Sequence, residues 1–189
     1  MLNPRPKNRK SGFSLIELVI AMAILAILVG VVSMRSGNLL DRSKVTKITQ
    51  AIDSIKTAAV LFHTDTGRYA YHTTGNARQL VVPTYTGWDG PYIDDPDLGR
   101  NNPFGVMYLD NNHDGFGRVT GWDLDGDGTE ELTGNCNVVL LTGIDADMAA
   151  KLDAHYDNNM AGKGGATWNK VGRFQYVSGN QSGIIFLYQ

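Results

Sequence analysis

Apolar residues follow two patterns along the first third of the chain. From Phe13 to Met34 they form a run interrupted by a single charge, Glu17. As a helix, this run of about 22 residues would be about 33 Å long, close to the thickness of a bilayer's hydrocarbon core. The next segment instead carries an apolar stripe at intervals of three and four, made of Val45, Ile48, Ile52, Ile55, Ala59 and Phe62. We predict one helix of about 50 residues, apolar on all sides at first and then amphipathic.

Past residue 67 the helical pattern ends and turn-forming residues become frequent. Gly67 is suited to end the helix as its C′ residue. Four short segments have the composition of strands, namely Gly105–Leu109, Asn137–Thr142, Arg173–Ser178 and Gly183–Tyr188. The last two flank a turn and predict a β-hairpin of half-buried, alternating strands. Ile144–Tyr156 predicts a short helix capped by Asp145. The predicted fold class is α+β, with a long N-terminal helix packed on a small antiparallel sheet.

Composition narrows the classes of function. With 42% hydrophobic residues the chain can bury a core. Residues 1–12 are basic, and without their four Lys and Arg residues the formal net charge changes from −2 to −6. An acidic body excludes nucleic acid as the main partner, because phosphate binding needs clustered Lys and Arg. Cys136 is the single cysteine, so there is no internal disulfide.

The chain lacks the usual sequence signatures of catalysis. It contains no P-loop, no G-x-S-x-G and no H-E-x-x-H motif. The scattered histidines are expected on the surface or in loops rather than as bases or metal ligands; they are His63, His72, His113 and His155. We therefore expect no enzymatic activity.

The segment from Gly12 to Val19 reads Gly-Phe-Ser-Leu-Ile-Glu-Leu-Val and lies between the basic stretch and the apolar run. It resembles the prepilin N-terminus shared by type IV pilins and type II secretion pseudopilins. The resemblance implies cleavage between Gly12 and Phe13 by a prepilin peptidase on the cytoplasmic side, and methylation of the new amino terminus on Phe13. It also implies a pilin-like fold. Assembly would give a helical filament of the chain itself with other pilin-like subunits, driven by a platform protein and a separate ATPase.

Glu17 would be the fifth residue of the chain after that cleavage. A charge at the bilayer centre costs about 2.5–3.5 kcal/mol on insertion scales, so a carboxylate in an apolar helix is expected to have a partner. Cleavage would create one, the amino group of Phe13 on a neighbouring subunit. Such a pair would fix the axial register of the packed helices. The alternative is that Glu17, near the helix start, reaches the membrane interface by itself.

Two other N-terminal signals share the basic start and the apolar run. A secretory signal peptide is disfavoured because the run is long and no A-x-A-like site follows it. A plain signal anchor fits the hydropathy but would need neither Gly12 nor Glu17. The Lys and Arg residues at positions 5–10 predict that the N-terminus stays in the cytoplasm. With that orientation, the resemblance implies a single pass through the inner membrane and a head in the periplasm.

Two further stretches resemble the major pseudopilins of type II secretion. Phe62–Tyr69 resembles their helix exit, and Trp88–Ile93, with the turn formers behind it, resembles their helix-to-sheet loop. The resemblance implies four regions. They are a cleaved leader at 1–12, a transmembrane and filament-core helix at 13–34, the amphipathic helix of the head at 35–67 and a globular head at 68–189.

Two Asp-rich segments thirteen residues apart read D-x-[DN]-x-D-G. Oxygen side chains at alternate positions, followed by glycine for a sharp turn, can surround a hard cation, as in the first half of an EF-hand loop. The candidate Ca²⁺ ligands are Asp110, Asn112 and Asp114 in the first segment and Asp123, Asp125 and Asp127 in the second. The twelfth position is Gly121 or Gly134 instead of Glu, so neither segment is a complete EF-hand loop; Glu130, Glu131 and backbone carbonyl oxygens are available to complete the shell.

The resemblance to major pseudopilins implies a calcium site in the C-terminal part of the head. The three closely spaced carboxylates of the second segment repel one another, and a cation would relieve that repulsion. In a chain without a disulfide, a bound metal would also supply a cross-link. The alternative is a solvated acidic turn, because Asp-Gly pairs are ordinary turn formers.

Three functions are consistent with the sequence. The leading one is a structural subunit of a periplasmic type II secretion pseudopilus, assembled from the inner membrane after leader cleavage. The second is a surface type IV pilin for adhesion, motility or DNA uptake. The third, from another class, is a membrane-anchored calcium-binding or ligand-binding domain on a plain signal anchor. A cut after Gly12 separates the first two from the third.

Overall fold

The computed structural model describes residues 12–72, 78–94, 102–112, 122–132, 134–158, 160, 168, 170–177, 179 and 181–189, with no side-chain detail at 32–39. The helices are α1 (Leu15–Thr66) and α2 (Ala146–Tyr156). The strands are β1 (Met107–Asn112), β2 (Asn135–Leu141), β3 (Phe174–Val177) and β4 (Ser182–Tyr188). The chain divides into two compact units, Met1–Asp41 and Arg42–Gln189.

In the first unit, the start of α1 is set by a pair of side chains. The N–H of Ser14 donates to Oε2 of Glu17 over 2.9 Å, and the N–H of Glu17 donates to Oγ of Ser14 over 3.2 Å. This reciprocal arrangement is a capping box, which satisfies two helix-end N–H groups that have no partner within the helix. The large apolar side chains described from Phe13 to Val31 are all at least 50% exposed. In the part of the chain that the structure describes, no helix has the length and hydropathy required to cross a membrane.

In the second unit, the remainder of α1 buries the stripe that its sequence pattern predicts. Ile48, Ile52, Ile55, Ala59 and Phe62 are each at most 1% exposed. They belong to one core cluster with residues of the sheet. The observed burial confirms the prediction made from the periodicity. Burial of one apolar face is what stabilises an amphipathic helix.

Gly67 ends α1 as predicted. Its backbone has φ +66°, and its N–H donates to the carbonyl oxygen of His63 over 2.8 Å. A positive φ at C′ is accessible to glycine at little cost because glycine has no Cβ.

The four strands form one antiparallel sheet in the order β1-β2-β4-β3. The predicted C-terminal hairpin is confirmed as the β3–β4 pair, in which Phe174 lies opposite Ile185. β1 lies further along the chain than predicted: it begins at Met107 and runs through Asp110 to Asn112, with a register shift between Asp110 and Asn112. The first Asp-rich segment therefore starts inside a strand and not in a loop, which corrects the sequence-based placement.

Both faces of the sheet are covered, so the prediction of half-buried strands is wrong. On one face, Leu109, Val139 and Ile185 share the core cluster with α1 and α2. The other face has its own cluster, made of Trp122, Leu132, Cys136, Val138, Leu140 and Ile184. The second cluster exists because residues 122–132 return over the sheet and place the fully buried Trp122 on it.

The second helix, α2, begins slightly later than predicted. Asp145 is extended, with φ −77° and ψ 167°, and its carboxylate accepts the N–H of Met148 over 2.7 Å. The helix thus starts at Ala146 and not at Ile144, while the predicted cap is confirmed. The fold is α+β, an N-terminal helix packed with a small four-stranded antiparallel sheet, which is consistent with a pilin-like protein.

Candidate functional site

The predicted processing site lies just before the first helix. Gly12 and Phe13 are exposed and non-helical, with Phe13 91% exposed, and α1 begins at Leu15. The rest of the predicted leader, residues 1–11, falls outside the described residues. The peptide bond between Gly12 and Phe13 is therefore not enclosed in helical hydrogen bonding. Cleavage at this bond stays a prediction.

Glu17 has a partner that sequence reasoning missed. Its carboxylate accepts the N–H of Ser14 in the capping box, within its own chain. The signal was present in the sequence as Ser14-Leu15-Ile16-Glu17, the S-x-x-E pattern of a helix start. The predicted pairing of Glu17 with the amino group of a neighbouring subunit is a separate matter and stays a prediction.

The second Asp-rich segment brings its carboxylates together. Asp123, Asp125, Asp127 and Glu131 each offer one oxygen, and these oxygens all lie within 4.8 Å of one another. Asp123 is the least exposed of the four, at 9%, and the other three are exposed. We call residues 122–132 the acidic loop and these four side chains the acidic cluster. Glu131 was only an optional ligand in the sequence-based interpretation.

Hydrogen bonds within the acidic loop explain why it turns so sharply. The carboxylate of Asp123 accepts the N–H groups of Gly126 (2.7 Å) and Gly128 (2.9 Å). Asp125 accepts the N–H of Asp127 over 3.1 Å. Both glycines have positive φ, +82° and +90°, a backbone conformation that residues with a Cβ rarely adopt. The alternation of Asp and Gly is therefore what allows the carboxylates to converge.

The two ends of the acidic loop are fastened to each other. The N–H of Glu131 donates to the carbonyl oxygen of Trp122 over 2.8 Å, and Trp122 and Leu132 form an antiparallel bridge. The carboxylate of Glu131 also accepts the N–H of Leu124. Because Trp122 and Leu132 are both buried in the second core cluster, the loop has a fixed base on the sheet.

The donor set of the acidic cluster fits a hard divalent cation. Ca²⁺ takes six to eight oxygen ligands in flexible geometry, and carboxylates are its usual protein ligands. Four carboxylate groups within 4.8 Å would repel one another without a counter-charge. The hydrogen bonds within the loop leave each carboxylate further acceptor capacity, since an ionised carboxylate has about four lone-pair sites.

The first Asp-rich segment does not join this cluster as far as the structure describes it. Asp110 lies in β1, is 9% exposed, and accepts the N–H of Asn111 over 2.7 Å. Asn112 is the last residue of the same strand. Asp114 lies outside the described residues, as does the rest of that segment.

Two other titratable groups are buried and belong to neither Asp-rich segment. His72 was expected on the surface or in a loop; it lies outside the helices and strands, in an isolated bridge with Leu109, but it is fully buried. Asp153, on α2, is also fully buried, and neither carboxylate oxygen has a hydrogen-bond partner among the described residues. Burial, with a smaller effect from the charge of Asp157, raises the pKa of Asp153 to about 6.

Comparisons with known proteins bear on the N-terminal region. Residues 7–33 match a family described as the prokaryotic N-terminal methylation motif. Neither a curated protein nor a solved structure matches the chain. The matched segment includes the predicted cleavage site, Phe13 and Glu17. It supports a type IV pilin-like protein with a membrane-anchored N-terminus, processed by prepilin peptidase and assembled into pilin-like polymers. The N-terminal segment is therefore of the prepilin type that pilins and pseudopilins share.

Proposed function

We propose that the protein is a structural subunit of a periplasmic type II secretion pseudopilus, without enzymatic activity. The observation that carries the proposal is the methylation motif at residues 7–33, continuous with the exposed apolar part of α1. A large exposed apolar surface indicates contact with a membrane or with other protein. For a filament subunit it serves both purposes in turn.

The proposed cycle starts with residues 13–34 in the inner membrane, the basic leader in the cytoplasm and the head in the periplasm. This orientation follows from the Lys and Arg residues before the apolar run. After cleavage, a platform protein and an ATPase extract the subunit and stack it with copies of itself and other pilin-like subunits. The apolar side chains then move from lipid into a core of packed helices, so little hydrophobic free energy is lost.

The capping box supports a specific role for Glu17 in this cycle. Before assembly, the N–H of Ser14 holds the Glu17 carboxylate at the positive end of the helix dipole, where a negative charge is favourable. Cleavage creates an ammonium group on Phe13. In a pair with that ammonium both partners are charged, whereas in the bond with the Ser14 N–H only the carboxylate is, so we propose that Glu17 exchanges Ser14 for the Phe13 ammonium of a neighbouring subunit.

The resemblance of two separate stretches to major pseudopilins is the reason for proposing a pseudopilus subunit rather than a surface pilin. The stretches that resemble major pseudopilins, 62–69 and 88–93, contact each other in the fold. Tyr92 Oη donates to Oδ2 of Asp65 over 2.8 Å, and the rings of Phe62 and Tyr92 pack edge to face at 5.8 Å. The loop therefore covers the end of α1. A surface type IV pilin for adhesion, motility or DNA uptake is the second candidate, since it shares the methylation motif.

We also propose that the acidic cluster binds Ca²⁺ and that the ion stabilises the head. Asp123, Asp125, Asp127 and Glu131 would be the ligands. The ion would join the two ends of the acidic loop, which lie over the second face of the sheet. Because ligand binding to the folded state alone adds to the free energy of unfolding, removal of calcium should lower the stability of the head.

Mass spectrometry of the mature N-terminus tests the leading proposal. In cells with a prepilin peptidase, the expected product begins at Phe13 and carries one added methyl group, and peptidase-deficient cells serve as the control. An intact residue 1, or a cut elsewhere, would contradict the proposal and favour a membrane-anchored binding domain.

Deletion of the gene separates the two filament proposals. For a pseudopilus subunit, the deletion should abolish secretion through the type II system. Normal secretion in the deletion strain, together with filaments outside unperturbed wild-type cells, would favour the surface pilin.

A further inference from the structure

The backbone of Asp123 is paired with a segment that follows it by almost fifty residues. The N–H of Asp123 donates to the carbonyl oxygen of Lys170 over 3.3 Å, and the N–H of Gly172 donates to the carbonyl oxygen of Asp123 over 2.8 Å. Asp123 and Val171 thereby form a parallel bridge. We call residues 170–174 the arch. The most buried member of the acidic cluster is thus the one fastened to the arch through its backbone.

Asp157, the residue that follows α2, holds the opposite side of the arch. Its Oδ1 accepts the N–H of Arg173 over 2.9 Å, and its Oδ2 accepts the N–H of Phe174 over 2.6 Å. A Cβ on Gly172 would lie 2.7 Å from Oδ2 of Asp157, so the carboxylate is in direct contact with the arch backbone. Asp157 is 8% exposed, so water competes little for these bonds.

Gln175 and Val171 complete the connection between the arch and the acidic loop. Nε2 of the buried Gln175 donates to the carbonyl oxygens of Lys170 (2.8 Å) and Gly172 (3.4 Å). On the loop side, Cγ1 of Val171 lies 3.4 Å from the position of a Cβ on Gly126. The arch is therefore bonded to the acidic loop at Asp123 and lies close to its turn at Gly126.

We propose that Asp157 is a positioning residue for the calcium site, an inference that rests on the proposed site itself. By holding Arg173 and Phe174, it fixes the arch, and the arch fixes the backbone at Asp123 and hence the direction of that carboxylate. The oxygens of Asp157 accept backbone N–H groups of the arch, so it acts through the arch and not as a ligand. Residues that orient metal ligands from outside typically change metal affinity about 10–100-fold when they are replaced.

The decisive variant is Asp157→Asn, compared with Asp153→Asn as a matched control. The amide keeps one acceptor oxygen but turns an N–H donor toward a backbone N–H of the arch. The dissociation constant for calcium, measured by titration calorimetry of full-length protein in detergent micelles with calcium chloride, is expected to rise about tenfold or more. Asp153→Asn removes a carboxylate from the last turn of α2, just before Asp157 and outside the arch, and should leave the dissociation constant unchanged.

The outcomes separate this inference from the site on which it rests. If the wild type binds calcium and Asp157→Asn binds it with the same affinity, the positioning role is refuted and the proposed site remains. No binding by the wild type would overturn the site, and the inference with it. A purely structural role would lower the melting temperature of Asp157→Asn in chelator without changing its affinity. Should Asp157→Asn not fold, Gln175→Met removes the side-chain bonds to the carbonyl oxygens of Lys170 and Gly172 without a charge change, and unchanged affinity there also overturns the inference.

Discussion

Replacement of Asp153 by asparagine should stabilise the head at neutral pH. The side chain is fully buried and its carboxylate oxygens have no hydrogen-bond partner among the described residues. Burial, and then the charge of Asp157, raise the pKa of Asp153 from 3.8 to about 6. An ionised carboxylate in this position is costly because it has lost water without gaining a donor.

The sign of the pH dependence follows from which state binds the proton more tightly. Between pH 3.8 and about 6 the folded protein keeps the Asp153 proton that the unfolded chain releases. The contribution of Asp153 to the free energy of unfolding is therefore fully favourable below that window, is lost as the pH rises through it, and stays lost above it. A shift of about two units corresponds to a difference of at most about 3 kcal/mol between low and neutral pH.

An asparagine side chain cannot ionise, so Asp153→Asn should remove that part of the pH dependence. At pH 7 the variant should be more stable than the wild type by about 1–3 kcal/mol, the lower values allowing for the unpaired amide. At pH 4 the difference should be close to zero. Urea denaturation followed by tryptophan fluorescence measures the free energy of unfolding, and a chelator removes calcium. Trp88, Trp122 and Trp168 all lie in the second unit, so the signal reports on the head.

Burial also raises the pKa of Asp157, but Asp157 and the remaining carboxyl groups are common to both proteins. The difference between wild type and variant at each pH therefore isolates Asp153, as long as its coupling to Asp157 is small. Equal free energies of unfolding at pH 7, or a difference that does not change between pH 4 and pH 7, would show that Asp153 is not a buried, destabilising charge. Asp53→Asn, on an exposed position of α1, is the control and should show no such gain.

Three further predictions concern assembly, calcium and the core. Glu17→Ala should be cleaved normally but give few filaments, as judged by immunoblots of cells treated with a chemical cross-linker; a normal yield of cross-linked multimers would contradict the register role. Saturating calcium at about 100 times the dissociation constant should add about 2.7 kcal/mol to the free energy of unfolding of the full-length protein. A melting temperature identical in calcium and in chelator, or an Asp125→Asn variant that keeps the full shift, would contradict the calcium site. Ile52→Ala, fully inside the core, should cost about 2–5 kcal/mol in urea denaturation, whereas Leu61→Ala, at an exposed position, should cost much less.

Local patterns in the sequence were enough for the features that depend on near neighbours in the chain. The stripe from Ile48 to Phe62 predicted the buried face of α1, because helical periodicity repeats every three or four residues. Gly67 and Asp145 predicted helix ends for the same reason, since caps bond within one turn. The spacing of Asp123, Asp125 and Asp127 likewise predicted convergence of carboxylates within one short loop.

Tertiary structure decided the features that join residues far apart. The order β1-β2-β4-β3 and the second core cluster depend on where residues 122–132 return over the sheet, which no local pattern encodes. The side-chain amide of Asn137 donates to the carbonyl oxygens of both Ala70 and Asp110, and it thereby ties Asp110 into a strand that the sequence had suggested was a loop.

The same division holds for the two candidate sites. The prepilin-type N-terminus is legible in the sequence because a peptidase must recognise a short continuous segment, and the family match covers it. The surroundings of the acidic cluster cannot be read from the sequence in this way. Backbone pairing brings both Glu131 and the arch to Asp123, and the arch is almost fifty residues away along the chain. The sequence by itself determined which chemical groups were available. The fold decided which of them meet, because contacts distant in sequence form only when the whole core is buried.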